Sequence, residues 1–169
     1  MTNLYDQAFE RSIKDPNGFW GEAPENIHWY KKWDKVLDDS NPPFYRWFVG
    51  GELNTAYNAL DFHVDNGRGD QAAMIYDSPV TETLKIYTFT ERRDEVAKFA
   101  GALAAQGVKK GDRIALISTT NRTEWNIMDL AILQIGAVNV PIYPTISEED
   151  YKYIFNHAEV KYCFLSDEE

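Results

Sequence analysis

The alternation of helical and extended segments in the second half of the chain constrains its fold most strongly. Three segments with helical spacing alternate with three short apolar runs, over residues 91–106, 113–118, 121–135, 138–142, 148–157 and 160–165. Helices joined to strands by short loops in this order are typical of a parallel sheet with right-handed crossovers. The sequence therefore predicts an α/β fold for this half of the chain.

Capping and turn residues locate the ends of these elements. Thr90 is predicted to cap the first helix and Ser147 the third, because a hydroxyl can accept a free backbone N–H there. Gly107 and Gly136 follow the first two helices, as expected for residues that end a helix. Pro141 lies inside the second strand and predicts either an edge position or an early end of that strand, because proline has no N–H for a neighbouring strand.

Helical spacing also predicts which side chains form the core. Val96, Phe99, Ala100 and Leu103 fall on one face of the first helix, and Leu130 lies among the apolar positions of the second. If Phe99 and Leu130 are core residues, replacing either with alanine is expected to cost about 2–5 kcal/mol.

The first half of the chain has a less regular pattern of apolar and aromatic residues. Residues 1–17 are predicted to form an amphipathic helix, and residues 19–50 an irregular strap in which many aromatic side chains follow no clear period. Helical spacing returns over residues 53–62. Two apolar runs, 72–76 and 84–89, are then predicted to pair as a hairpin.

Composition excludes several classes of function. The formal net charge of -10 disfavours nucleic-acid binding, because an acidic surface repels phosphate. No stretch has the roughly 20 apolar residues that a transmembrane helix needs, and the N-terminus does not resemble a secretory signal. Cys163 is the only cysteine, so no internal disulfide forms, and its apolar neighbours predict a buried structural thiol. These features favour the cytoplasm.

Few residues suggest a chemical site. The histidines His28, His63 and His157 lack metal-ligand spacing, so the sequence predicts no metal site. No pattern of catalytic residues is present either. Tyr143 and Thr145 lie just beyond a strand, where ligands bind in open parallel sheets. They are the predicted substrate-binding residues, although the same positions also suit a purely structural role.

Two stretches of the first two-thirds of the chain resemble one enzyme family. The segment YTFTERRDEVAKFAGALAAQGVKKGDRIAL, residues 87–116, resembles the opening of an AMP-forming acyl-CoA synthetase domain of the adenylate-forming superfamily. Residues 26–76 are similar to the N-terminal extension of acetyl- and propionyl-CoA synthetases, with the run Phe-Val-Gly-Gly-Glu-Leu-Asn closest to the propionyl type. On this basis residues 1–115 resemble the acetyl/propionyl group.

Residues 116–169 are similar instead to long-chain fatty acyl-CoA synthetases. The runs Asn121-Arg-Thr-Glu-Trp125 and Gly136-Ala-Val-Asn-Val-Pro-Ile-Tyr-Pro-Thr145 carry this second likeness. A natural mosaic, an engineered fusion and an assembly artefact are all compatible with a change of likeness near residues 113–118.

The resemblance implies an incomplete three-layer parallel-sheet domain over residues 71–169, preceded by a helical and irregular aromatic extension over residues 1–70. It implies that the complete enzyme uses ATP, Mg and CoA to convert a carboxylic acid, preferably acetate or propionate, into its CoA thioester. Residues 1–169 contain no Ser/Thr/Gly-rich loop ending in Lys for the phosphates. The chain is therefore expected to be inactive alone, to bind no cofactor and to need the remainder of a synthetase as its partner.

Three alternatives stay open at this point. The chain could belong to a long-chain fatty acyl-CoA synthetase, to a non-catalytic interaction module, or to the product of a broken gene. Uncovered apolar surface and unpaired strand edges would favour self-association of such a fragment.

Overall fold

The computed structural model describes residues 3–119 and 122–166. Contacts divide the chain into two compact units, with the boundary between Asn54 and Thr55. The predicted boundary between residues 70 and 71 concerns the family's domains and stays a prediction. Each unit is described by itself below.

The first unit begins with two helices, α1 (Leu4–Lys14) and α2 (Pro16–Glu22), followed by a 3₁₀ turn, Ala23–Asn26. The sequence predicted a single helix over residues 1–17. Residues 15–18 instead form the junction between two helices, because the Asp15 carboxylate accepts the Gly18 N–H at 3.0 Å and Pro16 suits the first helical position. The prediction that the chain becomes irregular from residue 19 is therefore wrong at its start.

The same prediction also fails at residues 35–49, where two strands, β1 (Lys35–Asp38) and β2 (Arg46–Val49), pair antiparallel. Their support is an aromatic cluster formed by Trp29, Trp33 and Phe48, with ring centroids 4.9, 5.5 and 5.1 Å apart. Because these rings come from a loop and a strand, their spacing along the sequence follows neither helical nor strand periodicity.

The second unit opens with a helical segment over residues 55–68 that includes two π-helical stretches, Tyr57–Asp61 and Val64–Arg68. The helix predicted over residues 53–62 therefore starts two residues later and continues further. Strands β3 (Ala72–Ser78) and β4 (Thr83–Thr88) follow and pair antiparallel. The predicted hairpin is confirmed.

Three parallel strands form the sheet of the second unit, in the order β6-β5-β7. They are β5 (Arg113–Ile117), β6 (Val138–Ile142) and β7 (Tyr162–Leu165). Helices α3 (Phe89–Ala105), α4 (Thr123–Gln134) and α5 (Glu148–Ala158) precede or connect them. The α/β class is confirmed. Of the two alternatives for Pro141, the structure shows the edge position, since among the described strands β6 pairs only with β5.

The central strand β5 separates two apolar clusters, which makes the unit three layers deep. Ile114 packs in one cluster with Ala131 and Ile132 of α4, and all three residues are 0% exposed. Ala115 and Ile117 face the opposite side, where partly buried side chains of α5 pack on them. Because side chains alternate along a strand, a strand covered on both faces reads as a continuous apolar run.

Helix ends follow the predicted glycines but not the predicted first cap. Gly107 and Gly136 adopt positive φ, 89° and 74°, after α3 and α4, a conformation that glycine adopts without a Cβ clash. Ser147 caps α5 as predicted. Helix α3, however, is capped by Thr88 rather than Thr90, because Thr88 and Glu91 form a reciprocal capping box, with hydrogen bonds of 2.8 and 3.2 Å.

Replacing Thr88 with alanine is expected to destabilise the fold by about 1 kcal/mol, because the substitution leaves the Glu91 backbone N–H without its acceptor. Thr90→Ala is the matched control, and it is expected to cost less than half as much. Urea denaturation followed by circular dichroism compares the two variants. Equal losses would show that the capping box does not set the start of α3.

Two predicted core residues are exposed. Phe99 is 41% exposed and lines a cavity at the carboxyl ends of the strands. Cys163 is exposed as well, because it lies on edge strand β7, where the described side chains of α5 cover β5 and β6. The predicted buried positions of Phe99 and Cys163 are therefore wrong. Within the described ranges, no helix has the length and apolar character required to cross a bilayer.

Candidate functional site at the carboxyl ends of the parallel strands

The carboxyl ends of β5, β6 and β7 meet at one edge of the sheet, where each strand runs into a short polar segment. Ser118 and Thr119 follow β5, and Ser166 follows β7. The Thr119 backbone N–H donates to the Ser166 hydroxyl at 3.1 Å, and the Ser166 N–H donates to the Ile117 carbonyl at 3.1 Å. These bonds continue the β5–β7 pairing beyond the strands and fix the hydroxyl groups at the edge.

Three cavities open at this edge, with volumes of about 270, 480 and 320 Å³. The first lies between the start of α4 and the end of β7, and Arg122 and Trp125 line it. The second lies on the α5 side of the sheet, next to Tyr151. The third lies between the ends of β5 and β6 and is lined by Ser118 and Tyr143.

The third cavity occupies a crevice that parallel sheets commonly use for ligands. The chain leaves β5 toward α4 on one face and leaves β6 toward α5 on the other. The segments after these adjacent strands therefore diverge, and a crevice remains between them. This topology makes the β5/β6 crevice the best candidate site among the described residues.

The two predicted substrate-binding residues have different positions relative to this crevice. Tyr143 lines it and is 80% exposed, while its backbone carbonyl accepts the Tyr151 hydroxyl at 3.0 Å. Thr145 is also exposed, in the turn before α5, but it lines none of the three cavities. The structure thus brings Tyr143, and not Thr145, together with Ser118. A ligand role for either residue stays a prediction.

The edge offers apolar and hydroxyl groups and little charge. Arg122 and Glu124 are the only charged side chains among the described residues that line the three cavities. Magnesium in nucleotide sites needs carboxylate ligands, and a triphosphate needs several cationic or backbone N–H donors. The described residues of this edge therefore do not fit a magnesium–nucleotide complex.

Trp125 was not predicted as a site residue. It lines the first and third cavities from the first turn of α4. The detectable signal was its location, since a large aromatic residue in the first turn after a strand end lies near the ligand edge of a parallel sheet.

The histidine and arginine near residues 63–68 have structural roles. Arg68 donates to His63 Nδ1 at 3.0 Å and to the Gln71 amide oxygen at 2.7 Å. The His63 ring packs on Phe89, with centroids 4.7 Å apart. Burial, and then the charge of Arg68, lower the pKa of His63, so the ring stays neutral as an acceptor.

Two acidic side chains outside the candidate site, Asp38 and Asp150, also have structural partners. Asp38 accepts hydrogen bonds from Lys35 at 3.0 Å and from Arg46 at 2.8 Å. The bond from Arg46, and to a smaller extent the bond from Lys35, holds the pKa of Asp38 well below its usual range. Asp150 accepts the Ser147 hydroxyl at 2.7 Å at the start of α5. Across residues 3–119 and 122–166, no group of three histidine, cysteine or acidic side chains is placed to hold a metal ion.

Two known protein families match this chain, one in each part of it. Residues 5–59 match the family described as acetyl-coenzyme A synthetase N-terminus. Residues 62–169, more than half of the chain, match the family described as AMP-binding enzyme. The chain therefore belongs to the AMP-binding enzyme family.

Named relatives place the chain within this family more closely. It is 41% identical over 157 residues to the acyl-CoA synthetase short-chain family member 3, mitochondrial, of Homo sapiens, covering 93% of this chain and 23% of that protein. It is 38% identical over 163 residues to the acetyl-coenzyme A synthetase of Deinococcus radiodurans, covering 96% of this chain and 25% of that protein. This chain thus spans about a quarter of the length of these relatives.

A solved structure supports the same placement. The acetoacetyl-CoA synthetase from Streptomyces lividans superposes with a TM-score of 0.84 at 26% identity, covering 97% of this chain and 25% of that one. The predicted resemblance and fold are confirmed. The relatives are of the short-chain type, and a match of 157 residues necessarily extends beyond residue 115 into the part that resembles long-chain enzymes. Short-chain relatives are therefore favoured over long-chain ones.

Proposed function

We propose that this chain forms the N-terminal region of an AMP-forming acyl-CoA synthetase that acts on acetate or propionate. This proposal rests on the match of 157 residues, at 41% identity, to a short-chain acyl-CoA synthetase. In the complete enzyme, ATP and the carboxylate form an acyl-adenylate and pyrophosphate, and CoA then displaces AMP.

Within this proposal the described residues position substrate and perform no bond-making step. Tyr143 borders the β5/β6 crevice, and Thr145 lies two residues further along the same exposed segment. We assign both to substrate binding. ATP, magnesium and CoA belong to the complete enzyme, because the strand ends described above lack the donor set for a nucleotide and its metal ion.

The proposed partner is the remainder of a synthetase. Ile75, Leu84 and Ile86 of the β3–β4 hairpin are 64%, 68% and 56% exposed, and Ile75 pairs with Ile86 across the two strands. An exposed apolar face of this kind favours cover by further protein or, without it, self-association. The cytoplasm is the proposed location, although the human relative is named as mitochondrial.

A graft tests the proposal. Residues 1–169 replace the matched N-terminal quarter of the Deinococcus radiodurans acetyl-coenzyme A synthetase, and formation of CoA thioester is measured with acetate, propionate and palmitate. The graft is expected to use acetate or propionate. Tyr143→Ala in the graft is expected to lower kcat/KM by about tenfold, as for loss of one polar contact to substrate.

Two controls accompany this experiment. The relative without its N-terminal quarter gives the background rate. Tyr153→Ala removes an exposed tyrosine of α5 that lines none of the three edge cavities, and it should leave kcat/KM unchanged. A folded graft with no thioester formation would contradict the proposed function, and preference for palmitate would contradict the proposed substrate.

A further inference from the structure

The Arg68 side chain joins three elements of the second unit. Its Nη1 donates to His63 Nδ1 at 3.0 Å, and its Nε donates to the Gln71 amide oxygen at 2.7 Å. The guanidinium also lies over the Phe89 ring, 5.3 Å from the centroid. His63 belongs to the helical segment over residues 55–68, Gln71 immediately precedes β3, and Phe89 begins α3. Arg68 therefore ties this helical segment to the starts of β3 and α3.

The hydrogen bond between Arg68 and His63 requires a neutral imidazole. Because arginine has only N–H donors, Nδ1 of His63 must present a lone pair. A protonated ring carries N–H groups on both nitrogens and would place a second positive charge beside the guanidinium. The ring also packs on Phe89, with centroids 4.7 Å apart, which keeps it next to Arg68. Proton binding to His63 and this hydrogen bond therefore exclude each other.

The backbone around Arg68 is suited to local opening. The helical segment is π-helical here and loses helical φ/ψ at residues 66–67, immediately before Arg68. Such π-helical turns are frequent at functional sites. After this kink the Gln71 N–H donates to the Arg68 carbonyl at 3.0 Å. The Thr90 N–H donates to the Gly69 carbonyl, also at 3.0 Å. The amides of Gln71 and Thr90 therefore report whether this turn is closed.

Arg68 is the charged group to which His63 responds. Burial, and then the charge of Arg68, lower the pKa of His63. The other charged groups of the helical segment and of the first turn of α3 interact with different residues: Asp61 with Arg93, Asp65 with Tyr57, Glu91 with Thr88, and Arg92 with Glu95. Asp70 is exposed in the turn before β3. The state of the ring is therefore coupled mainly to Arg68.

We propose that His63 and Arg68 form a pH-sensitive switch, in which the neutral ring holds Arg68 and a protonated ring releases it. Release of Arg68 loosens the turn over residues 68–71 from the starts of β3 and α3. The closed turn disfavours the proton and the open turn does not, so the open state binds more protons and acid favours opening. The proposal does not rest on the proposed function, because these residues lie outside the lining of the three edge cavities.

An NMR titration of the 169-residue chain between about pH 8 and pH 4.5 tests the switch. The His63 ring is expected to titrate below its usual pKa of about 6.5, and the Arg68 Nε resonance should shift with the same midpoint. Arg68→Gln is expected to raise the pKa of His63, because it removes the neighbouring positive charge. A purely structural role of Arg68 would not move this pKa in that direction.

Hydrogen exchange gives the structural readout. Protection factors, which correct for the pH dependence of intrinsic exchange, should fall for the Gln71 and Thr90 amides as the pH drops below about 6.5. The amides of β5 should keep their protection. The expected size of the fall is the ratio of the acid dissociation constants of His63 in the native and the denatured chain, which the same titration supplies.

His63→Gln separates the proton from the contact, because its amide oxygen can accept from Arg68 but does not titrate. It should keep the protection seen at neutral pH and lose the fall in acid. His157→Gln is the matched control, since His157 stacks on Tyr153 of α5, with centroids 5.4 Å apart, and it should leave the fall unchanged. Circular dichroism verifies that each variant is folded. A native His63 that titrates at or above about pH 6.5, constant protection of both amides while it titrates, or the same fall in His63→Gln would overturn the proposal.

Discussion

Ile132→Ala is expected to lower the free energy of unfolding by about 2–5 kcal/mol, because it removes buried methyl and methylene groups and leaves a cavity. Ile132 is 0% exposed and packs with Ile114 in the cluster between the sheet and helices α3 and α4. This cluster joins the central strand to both helices of one layer. A loss at the upper end of the range is therefore expected. Urea denaturation followed by far-ultraviolet circular dichroism measures it.

Phe99→Ala is the control for this prediction. Phe99 lies on the same helix layer but is 41% exposed, so its truncation is expected to cost less than about 1 kcal/mol, well below the cost for a core position. Leu130→Ala should fall between the two, since Leu130 is half-buried against the same cluster. A larger loss for Phe99→Ala than for Ile132→Ala would contradict the assignment of the core.

Trp29→Ala is expected to destabilise the first unit by about 2–4 kcal/mol, somewhat below the cost for a fully buried tryptophan. The Trp29 ring contacts both Trp33 and Phe48, and its indole N–H donates to the Pro24 carbonyl at 3.3 Å. Loss of the ring removes the support on which β1 and β2 pair. Hydrogen exchange, resolved by residue, should show faster exchange of the backbone amides of both strands.

The control is a tryptophan of the same unit with a smaller role. Trp20 is 42% exposed, and its edge contact with Trp47 is longer, at 5.9 Å between centroids. Trp20→Ala is expected to change exchange in β1 and β2 less than Trp29→Ala. Unchanged protection of these strands in Trp29→Ala would show that the aromatic cluster does not hold the unit together.

The second unit was predicted well because local signals mark its elements: its α-helices are 17, 12 and 11 residues long, and glycines and apolar runs mark where helices end and strands lie. The runs that became β5 and β6 were located almost to the residue, and the glycines after α3 and α4 marked their ends. These signals are local: a buried central strand is apolar throughout, and a left-handed residue after a helix favours glycine.

The first unit was predicted poorly because its order depends on contacts between distant residues. Trp29 and Phe48 are far apart in sequence yet lie in one ring cluster, and the strands that they support are four residues long. Strands that are this short and are held by side chains from a loop show no clear alternation of apolar and polar residues in the sequence.

The same distinction between local signals and tertiary contacts applies to the functional and buried polar residues. The position of Tyr143 at a strand end was predictable, because topology places ligand-binding residues there. Arg92 was missed, although it lies four residues before Val96, on the buried face of α3. A charged residue at a core position of a helix is a detectable signal. Its burial beside the Tyr87 ring, however, depends on the packing of α3 against other elements.

We expect that residues 1–169 do not activate a carboxylate by themselves, although the chain belongs to the AMP-binding enzyme family. Exchange of labelled pyrophosphate into ATP, measured with the purified 169-residue chain and acetate or propionate, tests this expectation. A mock purification from the same host gives the background. The exchange rate is expected to be no faster than this background. Exchange that exceeds the background and scales with the concentration of the chain would show instead that residues 1–169 bind and activate both substrates.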